Sequence, residues 1–189
     1  MKIKFYTSII FFLCFILYQT GLFAQEIAKD SLTFPETWEG IWAGDLVVYN
    51  AKGKAQTLPM ELHILPIDSS DNHTFYIIYG EDKVAGKRPY ELVTIDAEKG
   101  IYAVDEKNSI QMEAFLLDNT LIQRFEVMGT MLITINEKID DNTITWQIIS
   151  GSLDPASITG KQEIDGEEIP EVKGYPIKAL QKAILKKQK

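Results

Sequence analysis

The sequence predicts a mostly β protein: an antiparallel up-and-down β-barrel of about eight to ten strands, followed by a short C-terminal α-helix. Short apolar or alternating runs recur from Gly40 onward, each is bounded by turn residues, and no helical pattern of about 10–15 residues separates them. Parallel sheets need such crossovers, so parallel α/β folds are excluded. Closure into a barrel removes exposed sheet edges, and a two-sheet β-sandwich is the alternative.

The first 24 residues have the layout of a cleavable signal peptide. Lys2 and Lys4 form a basic start, Ile9–Tyr18 is an unbroken apolar run, and Ala24 is a small residue suited to the cleavage point. A membrane-spanning helix needs about 20 apolar residues, and Gln19 interrupts this run too early. We therefore expect an exported protein, secreted or periplasmic, with no transmembrane span after cleavage.

Cleavage would leave residues 25–189 as a mature chain without cysteine, because Cys14 is the only one. Its stability would then come from packing and strand pairing rather than from disulfides. Loss of Lys2 and Lys4 from 19 basic residues leaves 17 against 27 acidic residues, a net charge of −10. Such an acidic chain disfavours nucleic acid as a partner, because binding requires Lys and Arg to displace phosphate counterions.

The barrel domain is predicted over residues 38–165, after a polar lead-in at 25–37. Within it, turn-forming residues such as Ala97–Gly100 separate the apolar runs. The predicted strands are Ile41–Tyr49, Thr57–Ile67, Thr74–Gly80, Tyr90–Asp96, Ile101–Asp105, Ile110–Leu117, Leu121–Met128, Thr130–Lys138, Thr143–Ser150 and, as a short last candidate, Ala156–Lys161.

The C-terminal segment, residues 166–189, predicts a loop followed by an amphipathic helix. Ile177, Leu180, Ile184 and Leu185 recur at helical spacing, and lysines occupy most of the remaining positions. We expect this helix to pack on the outside of the barrel. An anchor at an anionic membrane surface is the alternative.

The start of the first strand, Gly40-Ile41-Trp42, resembles the Gly-x-Trp motif of the lipocalins, which belong to the calycin barrels. Strand number, short turns, the export signal and a C-terminal helix are also similar to that family, although its Thr-Asp-Tyr-like motif is absent. In lipocalins the tryptophan plugs one end of the barrel and an arginine near the barrel's end stacks on it. The last predicted strand offers Lys161 there. The resemblance implies a ligand-binding barrel.

Alternation along the predicted strands defines an apolar interior. Turning the charged faces outward avoids the cost of burying unpaired ions. A ligand pocket then requires that Trp42, Phe125 and Trp146 do not fill the interior completely. The predicted ligand-lining residues are Trp42, Met60, Phe75, Met112, Phe125 and Trp146.

Three functions follow from this pattern. The first is an exported lipocalin-like protein that binds a small hydrophobic ligand and does not catalyse a reaction. The second is an interaction or structural module of the cell envelope, with a filled core and an exposed apolar patch such as Phe115 and Leu117. The third is an enzyme with a site on the polar face, which requires that Glu61, His63 and Arg124 are buried together.

The sequence indicates neither a metal site nor a cofactor. His63, on the polar face, and His73, in a predicted turn, are the only histidines, and without cysteine they form a poor zinc site. The chain has no nucleophile elbow, phosphate loop or dinucleotide fingerprint. No catalytic residue is predicted, and the oligomeric state is left open.

Overall fold

The computed structural model describes residues 34–189, so the predicted signal peptide and most of the lead-in lie outside the described residues. The first nine strands fall on the first nine predicted segments. The strands are β1 (Gly40–Asn50), β2 (Gly53–Ile64), β3 (His73–Tyr79), β4 (Lys87–Asp96), β5 (Ile101–Asp105), β6 (Gln111–Leu117), β7 (Thr120–Val127), β8 (Thr130–Asp140), β9 (Thr143–Ser152), β10 (Ser157–Thr159), β11 (Gln162–Ile164), β12 (Glu167–Ile169), β13 (Val172–Gly174) and β14 (Ile177–Lys187).

Ten of the strands described in residues 34–189 close an antiparallel barrel. Strands β1 to β9 follow one another around it, and β14 pairs with both β9 and β1. Gly44 permits the close approach of β1 to β14, because a Cβ at this position would overlap the backbone oxygen of Ile184. The predicted barrel is confirmed, and the sandwich is not seen.

The predicted C-terminal helix is wrong, because Ile177–Lys187 forms strand β14. Its Leu180, Gln181, Lys182 and Ala183 pair with β9 on one side and with β1 on the other. These two ladders outweigh the local helical preference of a segment rich in Lys, Leu and Ala. Without β14, both neighbouring strands would expose unpaired edges.

Helix is scarce in the described part of the chain, which has two 3-10 segments of three residues each, Glu36–Trp38 and Ala97–Lys99. None of its helices has the length and the hydropathy to span a bilayer.

Residues 153–176 connect β9 to β14 through a β-hairpin arm. In it β10 pairs with β13 and β11 pairs with β12, and neither pair belongs to the barrel sheet. The segment predicted as the last barrel strand, Ala156–Lys161, lies in this arm. The predicted loop at the start of 166–189 contains β12. Most of the arm is exposed, so no burial pattern marked it in the sequence.

Pairing around the barrel identifies the inward face. Leu46 on β1 pairs with Ala183, which pairs with Trp146, which pairs with Asn136, which pairs with Leu121 on β7. All five residues are at most 5% exposed. Because paired residues lie on the same face of a sheet, this row and its alternate neighbours form the interior.

One end of the barrel, here called the aromatic end, is covered by the segment before β1. Phe34 and Trp38 are buried, and their rings meet edge to face at a centroid distance of 5.0 Å. The Trp42 indole donates a hydrogen bond to the Trp38 carbonyl (2.9 Å), and the Tyr102 hydroxyl donates one to the Phe34 carbonyl (3.2 Å). Packing and hydrogen bonds together hold the cover in place.

Candidate functional site

The structure places the predicted ligand-lining residues on the inward face of the barrel. Trp42, Met60, Phe75 and Trp146 are almost completely buried in one apolar cluster. The Phe75 and Trp146 rings have a centroid distance of 6.2 Å. Met112 is partly buried against the same cluster. The contact of these residues with a ligand stays a prediction.

The interior differs at the opposite end, here called the arm end because the hairpin arm leaves the barrel there. Trp42 and Trp146 are buried and fill the interior where they lie. Phe125 on β7 is only half-buried, so the three aromatic side chains do not fill the whole interior. Several inward-facing neighbours toward the arm end are also only partly buried. These are Val48, Leu58, Tyr79, Tyr90, Met112, Leu132 and Ile148.

Two tyrosines supply polar groups at the arm end. Burial raises the pKa of Tyr79 to about 12, and the neighbouring Tyr90 adds to this shift. The pKa of Tyr90 is also raised, first by burial and then by the Glu106 carboxylate. Both hydroxyls therefore remain protonated well above neutral pH. The Tyr90 hydroxyl donates to Glu106, and the Tyr79 hydroxyl can donate a hydrogen bond at this end of the interior.

The raised pKa of Tyr79 predicts a loss of stability in alkaline solution. The unfolded chain releases the Tyr79 proton near pH 10 and the folded chain near pH 12, so stability falls as pH rises through this window. The Tyr79→Phe variant should lose about 2 kcal/mol less than the parent between these two pH values. Urea unfolding at both pH values measures this difference, and identical losses in the two proteins would contradict the assignment.

Polar side chains also lie on the inward face, on β7 and β8. The Thr134 hydroxyl donates to the Gln123 side-chain oxygen at 3.0 Å, and the Gln123 amide donates to the Met112 carbonyl at 3.4 Å. Gln123 and Thr134 are 4% and 5% exposed. These inward-facing polar residues of β7 and β8, with Asn136, are here called the polar strip. Within it, the side chains of Gln123 and Thr134 find their hydrogen-bond partners in each other and in the backbone.

The next inward residue of β8, Asn136, has no such partner. It is 0% exposed, and neither its Nδ2 nor its Oδ1 has a hydrogen-bond partner. Trp146, which lies opposite Asn136 in the register, also has an unpaired buried Nε1. Buried polar atoms are normally paired, so the unpaired atoms of Asn136 and Trp146 are unusual. Asn136 was not among the residues predicted from the sequence.

The residues required by the enzyme hypothesis are not brought together. Glu61 and His63 meet on the outer face of β2 at 2.8 Å, and Lys83 lies 2.6 Å from Glu61. Lys83, with a smaller contribution from His63, lowers the pKa of Glu61 below its usual value. Arg124 is exposed on the outer face of β7 and lines a different cleft. The convergence of Glu61, His63 and Arg124 that the enzyme hypothesis requires is therefore not observed.

His73 differs from its predicted position in a turn. It begins β3, is buried, and its Nε2 lies 3.1 Å from Oε1 of Glu39. Within residues 34–189, no group of three or more His, Cys, Asp or Glu side chains is placed to hold a metal ion.

A cation lies over Trp42, although it is not Lys161, the residue at the end of the last predicted strand. Lys187 of β14 places its Nζ 5.3 Å from the centroid of the Trp42 ring. Lys161 lies on the arm instead, 3.8 Å from Glu171. The residue was missed because the segment containing Lys187 was assigned to a helix. A cation over an aromatic face adds modest stability where the lysine is solvated.

The arm creates a second concave surface on the outside of the barrel. The segment that leads from the arm into β14, with Tyr175 and Pro176, and the outer faces of β7, β8 and β9 border an apolar cleft of about 360 Å³. Exposed apolar side chains continue along the arm itself, including Ile158, Val172 and Tyr175. Phe115 and Leu117, the patch predicted from sequence, are exposed on β6.

Comparisons with known proteins support the fold. No protein-family model and no curated protein matches the sequence. The chain is similar to the crystal structure of a protein with unknown function from the DUF3598 family of Nostoc punctiforme, with a TM-score of 0.55 and 14% identity. The alignment covers 81% of this chain and 48% of that chain, so this chain spans about half of that protein's length. At this identity the likeness shows the fold alone.

Proposed function

We propose that this protein is an exported, lipocalin-like binding protein that holds a small, mostly apolar ligand in the arm-end half of its barrel. The observation that carries the proposal is the asymmetry of the interior. Aromatic side chains fill and cover one end, whereas the inward-facing apolar residues and tyrosines toward the other end remain partly exposed. Binding sites of small molecules are typically concave and apolar, with a few polar groups.

The sequence motif supports the same proposal. Trp42 of Gly40-Ile41-Trp42 is buried at the covered end, with the Lys187 ammonium over its ring. A tryptophan at a barrel's closed end with a cation over it is the arrangement that the lipocalin resemblance implies. Export remains a proposal that rests on the N-terminal sequence.

Binding of an uncharged fluorescent probe, N-phenylnaphthylamine, tests this function directly. The parent protein should bind the probe with saturable fluorescence enhancement. The Met112→Trp variant, which enlarges an inward-facing side chain of β6, should bind at least about tenfold more weakly, equivalent to about 1.4 kcal/mol.

The matched control is Glu113→Trp, which places the same side chain on the exposed face of the same strand. It should bind the probe as the parent does, and thermal melting should show that both variants fold. Equal binding by the two tryptophan variants would contradict an interior site.

A second candidate function is contact with another macromolecule in the cell envelope. The exposed apolar residues of the hairpin arm and the cleft at its base favour it. A folded parent protein that binds no apolar probe would favour this candidate over the first.

A further inference from the structure

From the unpaired polar atoms in the barrel, we infer that Asn136 and Trp146 bind a neutral oxygen atom of the interior ligand, a carbonyl or a hydroxyl. These two residues lie one inward-facing position beyond Thr134 and Ile148, at the inner limit of the arm-end half, so the oxygen would be the most deeply placed atom of the ligand. The inference rests on the proposed function and names the chemical class of the ligand: an uncharged, mainly apolar molecule that carries such an oxygen.

Leaving these buried polar atoms unpaired costs free energy. Asn136 is 0% exposed and Trp146 is 2% exposed, so solvent does not satisfy their polar atoms. An amide buried without a partner destabilises the folded state, whereas an apolar residue of similar size would not. The neighbouring Gln123 and Thr134 show that this strip can be satisfied within the protein, because their side chains bond to each other.

The unpaired atoms of Asn136 and Trp146 are mostly hydrogen-bond donors. Asn136 offers two N–H donors and one oxygen acceptor, and Trp146 offers one N–H donor. The set therefore offers three N–H donors and a single acceptor oxygen. The complementary group is an oxygen with two lone pairs, and a hydroxyl could in addition donate to the Asn136 oxygen.

The charges near Asn136 favour a neutral ligand oxygen over a carboxylate. Lys138, the next inward-facing residue on β8, is paired with Asp141 at 2.8 Å near the strand end. Lys187 is engaged over the Trp42 ring at the aromatic end. Arg88, whose charge acts on Tyr79 and Tyr90, lies at the arm end of β4, away from Asn136. A carboxylate beside Asn136 would thus be buried without a cation next to it, at a large cost in free energy. A neutral oxygen avoids this cost.

The experiment compares two probes of equal chain length, a straight-chain ketone and the corresponding alkane. Binding is measured by displacement of N-phenylnaphthylamine from the full mature chain and from its Asn136→Leu variant. The preference for the ketone over the alkane should fall at least about tenfold in the variant. Glu137→Leu places leucine on the exposed, opposite face of β8 and should keep the preference of the parent.

A second readout does not depend on the variant. In the ¹H–¹⁵N spectrum of the parent protein, the ketone should shift the Trp146 indole resonance to lower field and the alkane should shift it less. The Trp42 indole already donates to Trp38 and should change little with either probe.

The outcomes separate the two proposals. If neither probe displaces the dye because the dye itself does not bind, the proposed function fails and this inference fails with it. The inference alone is overturned if both probes bind but the Asn136→Leu variant keeps the parent's preference for the ketone. It is also overturned if the ketone does not shift the Trp146 indole resonance. An internal water between Asn136 and Trp146 would produce this second result.

Discussion

Replacing Leu185 by aspartate is expected to destabilise the protein by about 4 kcal/mol or more and to abolish cooperative folding at moderate temperature. Leu185 is 0% exposed and points into the barrel from β14. A carboxylate at this position would be buried in the apolar cluster without a partner. Thermal unfolding followed by circular dichroism measures the loss.

The matched control is Ile184→Asp on the same strand. Ile184 is 62% exposed and points outward, so the change should cost less than about 1 kcal/mol. A helix with the apolar stripe predicted from sequence would include both residues, and both substitutions would then be damaging. Equal losses of stability in the two variants would therefore contradict the assignment of this segment to a strand. A strand predicts a large loss for Leu185→Asp alone.

The second large effect is expected at the aromatic end. Trp42→Ala should lower the free energy of unfolding by about 3–5 kcal/mol, because it removes a fully buried indole. It also removes the hydrogen bond to Trp38 and the surface that Lys187 covers. For a domain of this size, the midpoint of thermal unfolding should fall by roughly 10 °C or more.

Ile41→Ala is the control for this prediction, because Ile41 is adjacent in sequence and outward-facing, with 36% exposure. It should change the midpoint by only a few degrees. The Trp42→Phe variant should fall between the two, since it keeps an aromatic ring and loses the N–H donor. A Trp42→Ala protein with the stability of the Ile41→Ala protein would contradict the packed cover.

The first nine barrel strands could be predicted because alternation and turn residues are local signals. The alternation of Trp42 and Leu46 on β1, and of Met60 and Leu62 on β2, corresponds to the observed interior. Strand β14 could not be predicted in this way. Its local preference is helical, and only its pairing with β1 and β9, which are distant in sequence, selects the extended conformation.

The polar part of the interior was missed for a related reason. Apolar alternation alone would turn Ile133 and Ile135 of β8 inward. The register opposite Trp146 instead turns Thr134 and Asn136 inward and leaves Ile133 at the outer cleft beside the arm. Strand pairing therefore determines which residues of β8 face inward, and its outward-facing apolar residues line the cleft beside the arm. The register depends on a β-bulge between Lys138 and Asp140, and counting residues from the turn would have paired Trp146 with Glu137 instead.

The hairpin arm had no sequence signal of burial to reveal it. Its residues are mostly exposed, and Gly160, Pro170 and Gly166 are typical of turns. The segment therefore looked like a short strand followed by a loop. In the arm, β10 pairs with β13 and β11 pairs with β12. Because most of the side chains are exposed, these pairs depend on backbone hydrogen bonds more than on side-chain packing.

The central claim is that the barrel carries an apolar ligand, and native mass spectrometry of the protein purified from its own source tests it most directly. We expect a reproducible mass above that of the polypeptide. Unfolding should release the bound compound, which should be uncharged and contain a carbonyl or hydroxyl oxygen. A folded protein with the mass of the polypeptide alone, which also fails to bind N-phenylnaphthylamine, would contradict it.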